Sequence, residues 1–117
     1  MSQKFDTYEE LGQKMANYGK ENPEIMTAFS KLHDAGSKNG ALSFKYKELI
    51  ALGIGIHAKC EGCIVMHIQD ALKAGATHGE IVETIGTAIY MGGGPAVVYG
   101  TKAFAVLQAY EAENGVQ

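Results

Sequence analysis

The sequence predicts an all-α fold of about six helices in a single domain. Apolar residues recur at three- and four-residue spacing, strand-like alternation is nearly absent, and proline, glycine and capping residues fall at helix-length intervals. A first amphipathic segment runs from about Tyr8 to Gly19, with Leu11, Met15 and Tyr18 on one face. Pro23 suits the first turn of a second helix, which carries Ile25, Phe29 and Leu32 and ends near Gly36. After the polar turn at 37–40, Ser43 can cap a third helix that reaches about Ala58, with Leu49, Leu52 and Ile56 aligned. The fourth starts at Cys60 or Glu61 and closes at Gly75, a good residue just past a helix end. Thr77 followed by Glu80 makes a capping box, opening a fifth helix through Ile81, Ile85, Ala88 and Ile89. The run Gly92-Gly93-Gly94-Pro95 breaks it, and Pro95 starts a sixth that continues to about Glu113.

Length and charge narrow the function classes. A chain of 117 residues builds one domain with a modest core, and no internal repeat divides it. A net charge of -3 with scattered lysines argues against a nucleic-acid surface. No apolar run approaches the roughly 20 residues that a membrane span needs. The segment Met1 to Glu10 is polar and acidic and lacks the apolar stretch of a signal peptide, so a cytoplasmic location is expected. Thiols there are held reduced, which favours a working cysteine pair over a permanent staple. The third to sixth helices are rich in Ala, Gly and Ile, and Ala96 to Leu107 is apolar nearly all round. Such a helix is buried centrally or in a subunit interface, so a homo-oligomer is expected.

The two cysteines of the chain stand together in Cys60-Glu61-Gly62-Cys63, His67 follows, and Glu48 lies twelve residues before Cys60. With Cys60 at a helix start, Cys63 and His67 are i and i+4 on one face. Cysteines one turn apart can reach disulfide geometry, with Cα atoms about 5 to 6 Å apart. Unpaired N–H groups at the helix start favour a thiolate: free cysteine titrates near 8.5, whereas Cys-x-x-Cys pairs fall to roughly 3.5–7.5. His67 can take the thiol proton. If the turn near Ala58 and Lys59 is tight, the flanking helices are antiparallel and Glu48 stands opposite His67, where a carboxylate could fix the imidazole tautomer.

Other readings of the same residues stay open. A zinc site could use Cys60, Cys63, His67 and a fourth ligand, although only one Cys-x-x-Cys half is present. His57 reads as a surface residue near the cluster, and His33 and His78 as helix-end residues without chemistry. The triple glycine is no phosphate loop, since no strand precedes it and no Lys-Ser/Thr follows. It suits a sharp helix–helix turn or a close subunit contact. Tyr90 and Tyr99 are expected to pack in the core.

The stretch from Glu48 through His67, E-L-I-A-L-G-I-G-I-H-A-K-C-E-G-C-I-V-M-H, resembles the signature of the AhpD-like/carboxymuconolactone decarboxylase family. In its alkylhydroperoxidase branch the pattern is Glu, eleven residues, Cys-x-x-Cys, three residues, His. Glu48, Cys60, Cys63 and His67 match it at every spacing, and the run Asp70 to Thr77 and the Gly92–Pro95 turn are also family-like. The resemblance covers about residues 20 to 112. It implies one AhpD-like helical bundle over residues 1–117, assembled as trimers or hexamers, and a thiol-dependent hydroperoxide reductase that needs no cofactor or metal. In the implied cycle Cys63 is the peroxidatic thiolate, Cys60 resolves it to a disulfide, and His67 is the base. Glu48 completes the relay. A lipoyl or thioredoxin-like dithiol partner supplies the electrons. One departure is Gly62, where some members carry a histidine. The alternative is a thiol–disulfide adaptor or sensor with little peroxide turnover; lactone decarboxylation fits poorly, because that branch does not use a cysteine pair.

Overall fold

Capping chemistry sets where the helices begin. A computed structural model describes residues 5–115, and six helices fill them: α1 (Tyr8–Glu21), α2 (Pro23–Ser37), α3 (Phe44–His57), α4 (Glu61–Lys73), α5 (His78–Gly92) and α6 (Gly94–Glu113). No strand occurs among the described residues. Thr7 and Thr77 each accept a hydrogen bond from the backbone N–H of a glutamate three residues on, and that glutamate's carboxylate accepts one from the threonine N–H. Ser43 caps α3 by accepting from the Tyr46 N–H. Each cap satisfies N–H groups that the first helical turn leaves without partners.

The core lies among α3 to α6. Leu52 and Ile56 of α3, Ile64 and Ile68 of α4, Ile81 of α5 and Leu107 of α6 are fully buried and form one cluster. Alanines at 71, 88, 96 and 103 complete it and let the helices approach closely. At the α5–α6 turn, Gly93 adopts φ +69°, and a Cβ on Gly92 would lie 2.8 Å from the Ala96 Cβ. The glycines therefore serve a tight helix–helix corner. At the far ends of these two helices, His78 Nδ1 lies 2.8 Å from a carboxylate oxygen of the buried Glu111, a hydrogen bond that ties α5 to α6.

One expectation fails, and one apolar stripe is left uncovered. The apolar stripe of α2 does not enter the core: Ile25, Phe29 and Leu32 are 56%, 49% and 67% exposed, and neither α1 nor α2 contains a fully buried residue. The small-residue core of α3–α6 closes upon itself, so the α1–α2 pair can only lie outside it. Tyr90, expected in the core, is 84% exposed, because it sits on the outer face of the last turn of α5. Tyr99 is partly buried against the core. Helix α6 buries Ala96, Gly100, Ala103, Leu107 and Glu111 while Val97 and Val98 stay exposed, so a single chain covers one face of it.

The α5 capping box extends beyond its own helix. Lys45 Nζ lies 3.0 Å from Glu80 Oε2, and the Thr77 backbone N–H together with this lysine holds the Glu80 carboxyl below its ordinary value of 4.5. A carboxyl whose pKa is lowered by folding stabilises the fold above its unfolded value, and that stability is lost as pH falls through the folded value. Glu80→Gln is therefore expected to lower the thermal midpoint at neutral pH. The difference from the unmodified chain should shrink as pH falls below 4.5. Thermal melts between neutral and acid pH check this, and a pH-independent difference would remove the ionic contribution.

Candidate active site

A tight turn between α3 and α4 fixes the cysteine pair. The Cys60 N–H donates to the Gly55 carbonyl (3.0 Å) and the Lys59 N–H to the Ile56 carbonyl (3.1 Å). This is a Schellman closure. It requires a left-handed residue, and here Lys59 takes that conformation at φ +57°. The same bonding pattern ends α4, where Gly75 occupies the left-handed position at φ +98°. A lysine at such a site costs about 1–2 kcal/mol that a glycine would avoid. The cost falls at the residue that delivers Cys60 to its position.

Cys60 is the N-cap of α4, and its Sγ accepts a hydrogen bond from the Cys63 N–H at 3.1 Å. Sulfur here takes the place usually held by a Ser, Thr, Asp or Asn oxygen, at the positive end of the helix dipole. Cys60 and Cys63 are joined as a disulfide, with Cα atoms 5.2 Å apart. Both are part-buried. Behind them α3 comes close: a Cβ on Gly55 would stand 3.0 Å from the Cys63 Cβ. In front, Leu11 of α1 lies about 3.6 Å from where a Gly62 Cβ would be.

One turn into α4, His67 shares the Cys63 face of the helix. Its Nδ1 lies 2.6 Å from Glu48 Oε1, and the Glu48 side chain is only 4% exposed. A carboxylate can only accept, so Nδ1 carries the hydrogen and Nε2 is left as the basic nitrogen. The tight turn makes α3 and α4 antiparallel neighbours, which brings together residues nineteen apart in sequence. All four residues singled out from the sequence thus lie in one place.

Three further residues join them that the sequence did not announce. The Tyr8 hydroxyl donates to Asp70 Oδ1 at 3.2 Å, laying α1 across α4. Burial, then the Asp70 charge and hydrogen bond, and then Glu48 hold the Tyr8 phenol above its ordinary value. His33 of α2, read as a helix-end residue, comes within 4.8 Å of both Glu48 and Asp70 through a ring nitrogen. No motif spacing links these three positions, since each comes from a different helix. His57 is exposed and lies beside Gly92 at the α5–α6 corner, apart from the pair.

A cleft of about 490 Å³ opens between residues 5–9, α4 and α6. Phe5, Tyr8, Val65, Ile68, Lys102 and Tyr110 contribute to its walls, and neither cysteine nor His67 does. No helix is long and apolar enough to cross a membrane among the described residues.

Comparison with known proteins places this geometry in a family. Residues 23–108 match the model of the Carboxymuconolactone decarboxylase family. An uncharacterised protein of Cupriavidus necator is 33% identical over 103 residues, covering 88% of this chain and 91% of that protein. Uncharacterised protein 4 in the cox locus of Paracoccus denitrificans is 38% identical over 83 residues, covering 71% and 75%. Among solved structures, apo-lpg0406 from Legionella pneumophila, a carboxymuconolactone decarboxylase family protein, superposes with a TM-score of 0.83 at 42% identity. The match covers 88% of this chain and 92% of that one. A Thermotoga maritima protein of the same family, for which involvement in an antioxidative response has been raised, gives a TM-score of 0.79. It is 24% identical over 94% of this chain and 96% of its own, and so speaks to the fold alone.

Proposed function

This chain belongs to the carboxymuconolactone decarboxylase family, and from that premise we propose that it is a thiol-dependent hydroperoxide reductase working through Cys60 and Cys63. The observation that carries the reading is the His67–Glu48 pair at 2.6 Å, one helical turn from a Cys63 that is already disulfide-bonded to Cys60. The disulfide is the oxidised end of the cycle; the imidazole–carboxylate pair is what the reduced end needs.

In the reduced protein His67 Nε2 accepts the Cys63 thiol proton, with Glu48 holding the tautomer and balancing the imidazolium charge. The thiolate attacks the terminal oxygen of a hydroperoxide. The O–O bond breaks, His67 returns the proton to the departing alkoxide, and an alcohol leaves behind a Cys63 sulfenic acid. The Cys60 thiol then displaces water from that sulfur and forms the disulfide. An external dithiol, of lipoyl or thioredoxin-like type, reduces the pair and is itself oxidised to a disulfide. The exposed Ile25, Phe29, Leu32, Val97 and Val98 supply apolar surface for a homo-oligomer, trimeric or hexameric, in which these faces are covered.

Reduced protein mixed with an organic hydroperoxide and a panel of dithiol donors is expected to consume peroxide well above the rate of donor alone, with at least one dithiol supporting turnover. Consumption no faster than free dithiol, combined with normal disulfide exchange, would leave a thiol–disulfide adaptor. Near-stoichiometric zinc lost on Cys60→Ser would instead make the pair a metal site.

A further inference from the structure

We propose that His33, Glu48 and Asp70 form a binding site for a divalent first-row transition cation of the zinc–manganese kind. The three residues come from three helices, α2, α3 and α4, and offer ligand atoms that all lie within 4.8 Å of one another. A point within about 2.8 Å of all three atoms exists at that spacing, and rotamer adjustments of up to about 0.8 Å reach the roughly 2.0–2.2 Å of zinc bonds to imidazole and carboxylate. His33 is exposed and free to make that adjustment.

Charge points the same way. Two carboxylates face each other here, one of them, Glu48, 4% exposed, and the ion pairs among the described residues put no lysine on either. The chain contains no arginine. The groups facing the cluster are Tyr8 from α1, His33 from α2 and His67 from α4, with Lys73 lying over the Tyr8 ring instead of reaching Asp70. A dication supplies the positive charge that the fold withholds.

The hydrogen-bonding pattern leaves ligand atoms available. His67 donates to Glu48 Oε1 and Tyr8 to Asp70 Oδ1. The second oxygen of each carboxylate and the His33 ring take no hydrogen bond among the described residues. Ligating carboxylates are commonly steadied by such outer donors, so Tyr8 and His67 would orient the ligands. One neutral imidazole with two carboxylates suits zinc or manganese; calcium prefers an all-oxygen shell and copper(I) prefers sulfur. The site is separate from the Cys60–Cys63–His67 zinc alternative, because it uses neither sulfur. It shares Glu48 with the relay: the second carboxylate oxygen would ligate while Oε1 stays on His67.

Titration of the disulfide form with Mn²⁺ and Zn²⁺ tests the proposal while the cysteines are unable to ligate. One ion per chain is expected by calorimetry and by manganese spin resonance. His33→Ala and Asp70→Asn should each weaken binding at least about tenfold, and Tyr8→Phe by about the same factor. His57→Ala and His78→Ala should leave it unchanged. In the unsubstituted chain, Mn²⁺ must broaden the His33 ring signals before those of His57 and His78, which locates the ion even if a variant unfolds. Absence of saturable binding at millimolar ion, binding that survives both ligand substitutions, or first broadening elsewhere overturns the site. None of these readouts involves thiol chemistry, so the result stands apart from that of the hydroperoxide assay.

Discussion

Cys63→Ser is expected to abolish hydroperoxide consumption, whereas Cys60→Ser should retain the first chemical step and halt at a sulfenic acid. A serine hydroxyl next to the same imidazole is a poor nucleophile toward an O–O bond and has no accessible oxidised state comparable to a sulfenic acid. The rate should therefore fall by about 10³-fold or more, to that of the free donor dithiol. Cys60→Ser leaves the Cys63–His67–Glu48 arrangement in place and removes the group that displaces water from the oxidised sulfur. A sulfenic-acid probe should label this variant after one equivalent of hydroperoxide, at Cys63 and nowhere else. Labelling of Cys63→Ser at Cys60, with retained turnover, would reverse the two roles. The reason to assign them this way is positional. Cys63 lies one turn from His67, while Cys60 is the N-cap outside the helix, its Sγ receiving the Cys63 N–H at 3.1 Å.

Much of the fold was legible because its signals are local. Thr77 with Glu80, Ser43, Pro23 and Gly75 mark helix ends by chemistry that acts within four residues, and each helix boundary falls within about two residues of where they put it. The Glu48–His67 contact was also readable, since a tight turn at Lys59 leaves two helices little choice but to run antiparallel. What could not be read depends on how helix pairs settle against each other. The Ile25–Phe29–Leu32 stripe satisfies every criterion for a core-facing helix and nonetheless faces outward, because α3–α6 close without it. For the same reason the convergence of Tyr8, His33 and Asp70 upon Glu48 left no trace in the spacing. Their approach is set by the docking of α1 and α2 on α4 and α3, a long-range result of packing. His78 meeting Glu111 across thirty-three residues is another case.

Glu48→Gln is the substitution that separates the relay from the scaffold around it. The amide is nearly isosteric with the carboxylate, and its oxygen can still accept from the His67 Nδ1–H, so the ring orientation survives. What disappears is the negative charge beside an imidazole that must become cationic when it takes the Cys63 proton. The loss in the rate of Cys63 oxidation should be roughly 10²-fold, at the lower end of what a positioned acid–base group contributes. Glu48→Ala should cost the same reactivity and, in addition, about 1–3 kcal/mol of stability, because it strands the part-buried Nδ1–H and empties a site that is 3% exposed. Single-turnover oxidation of the reduced protein measures the first effect, and denaturant unfolding of each variant the second. A Glu48→Gln protein that is oxidised at the unmodified rate would remove Glu48 from proton transfer and leave it the structural anchor of His67. A Glu48→Gln protein that loses both reactivity and stability to the same extent as Glu48→Ala would show that the ring has turned, and that geometry, not charge, is what Glu48 supplies.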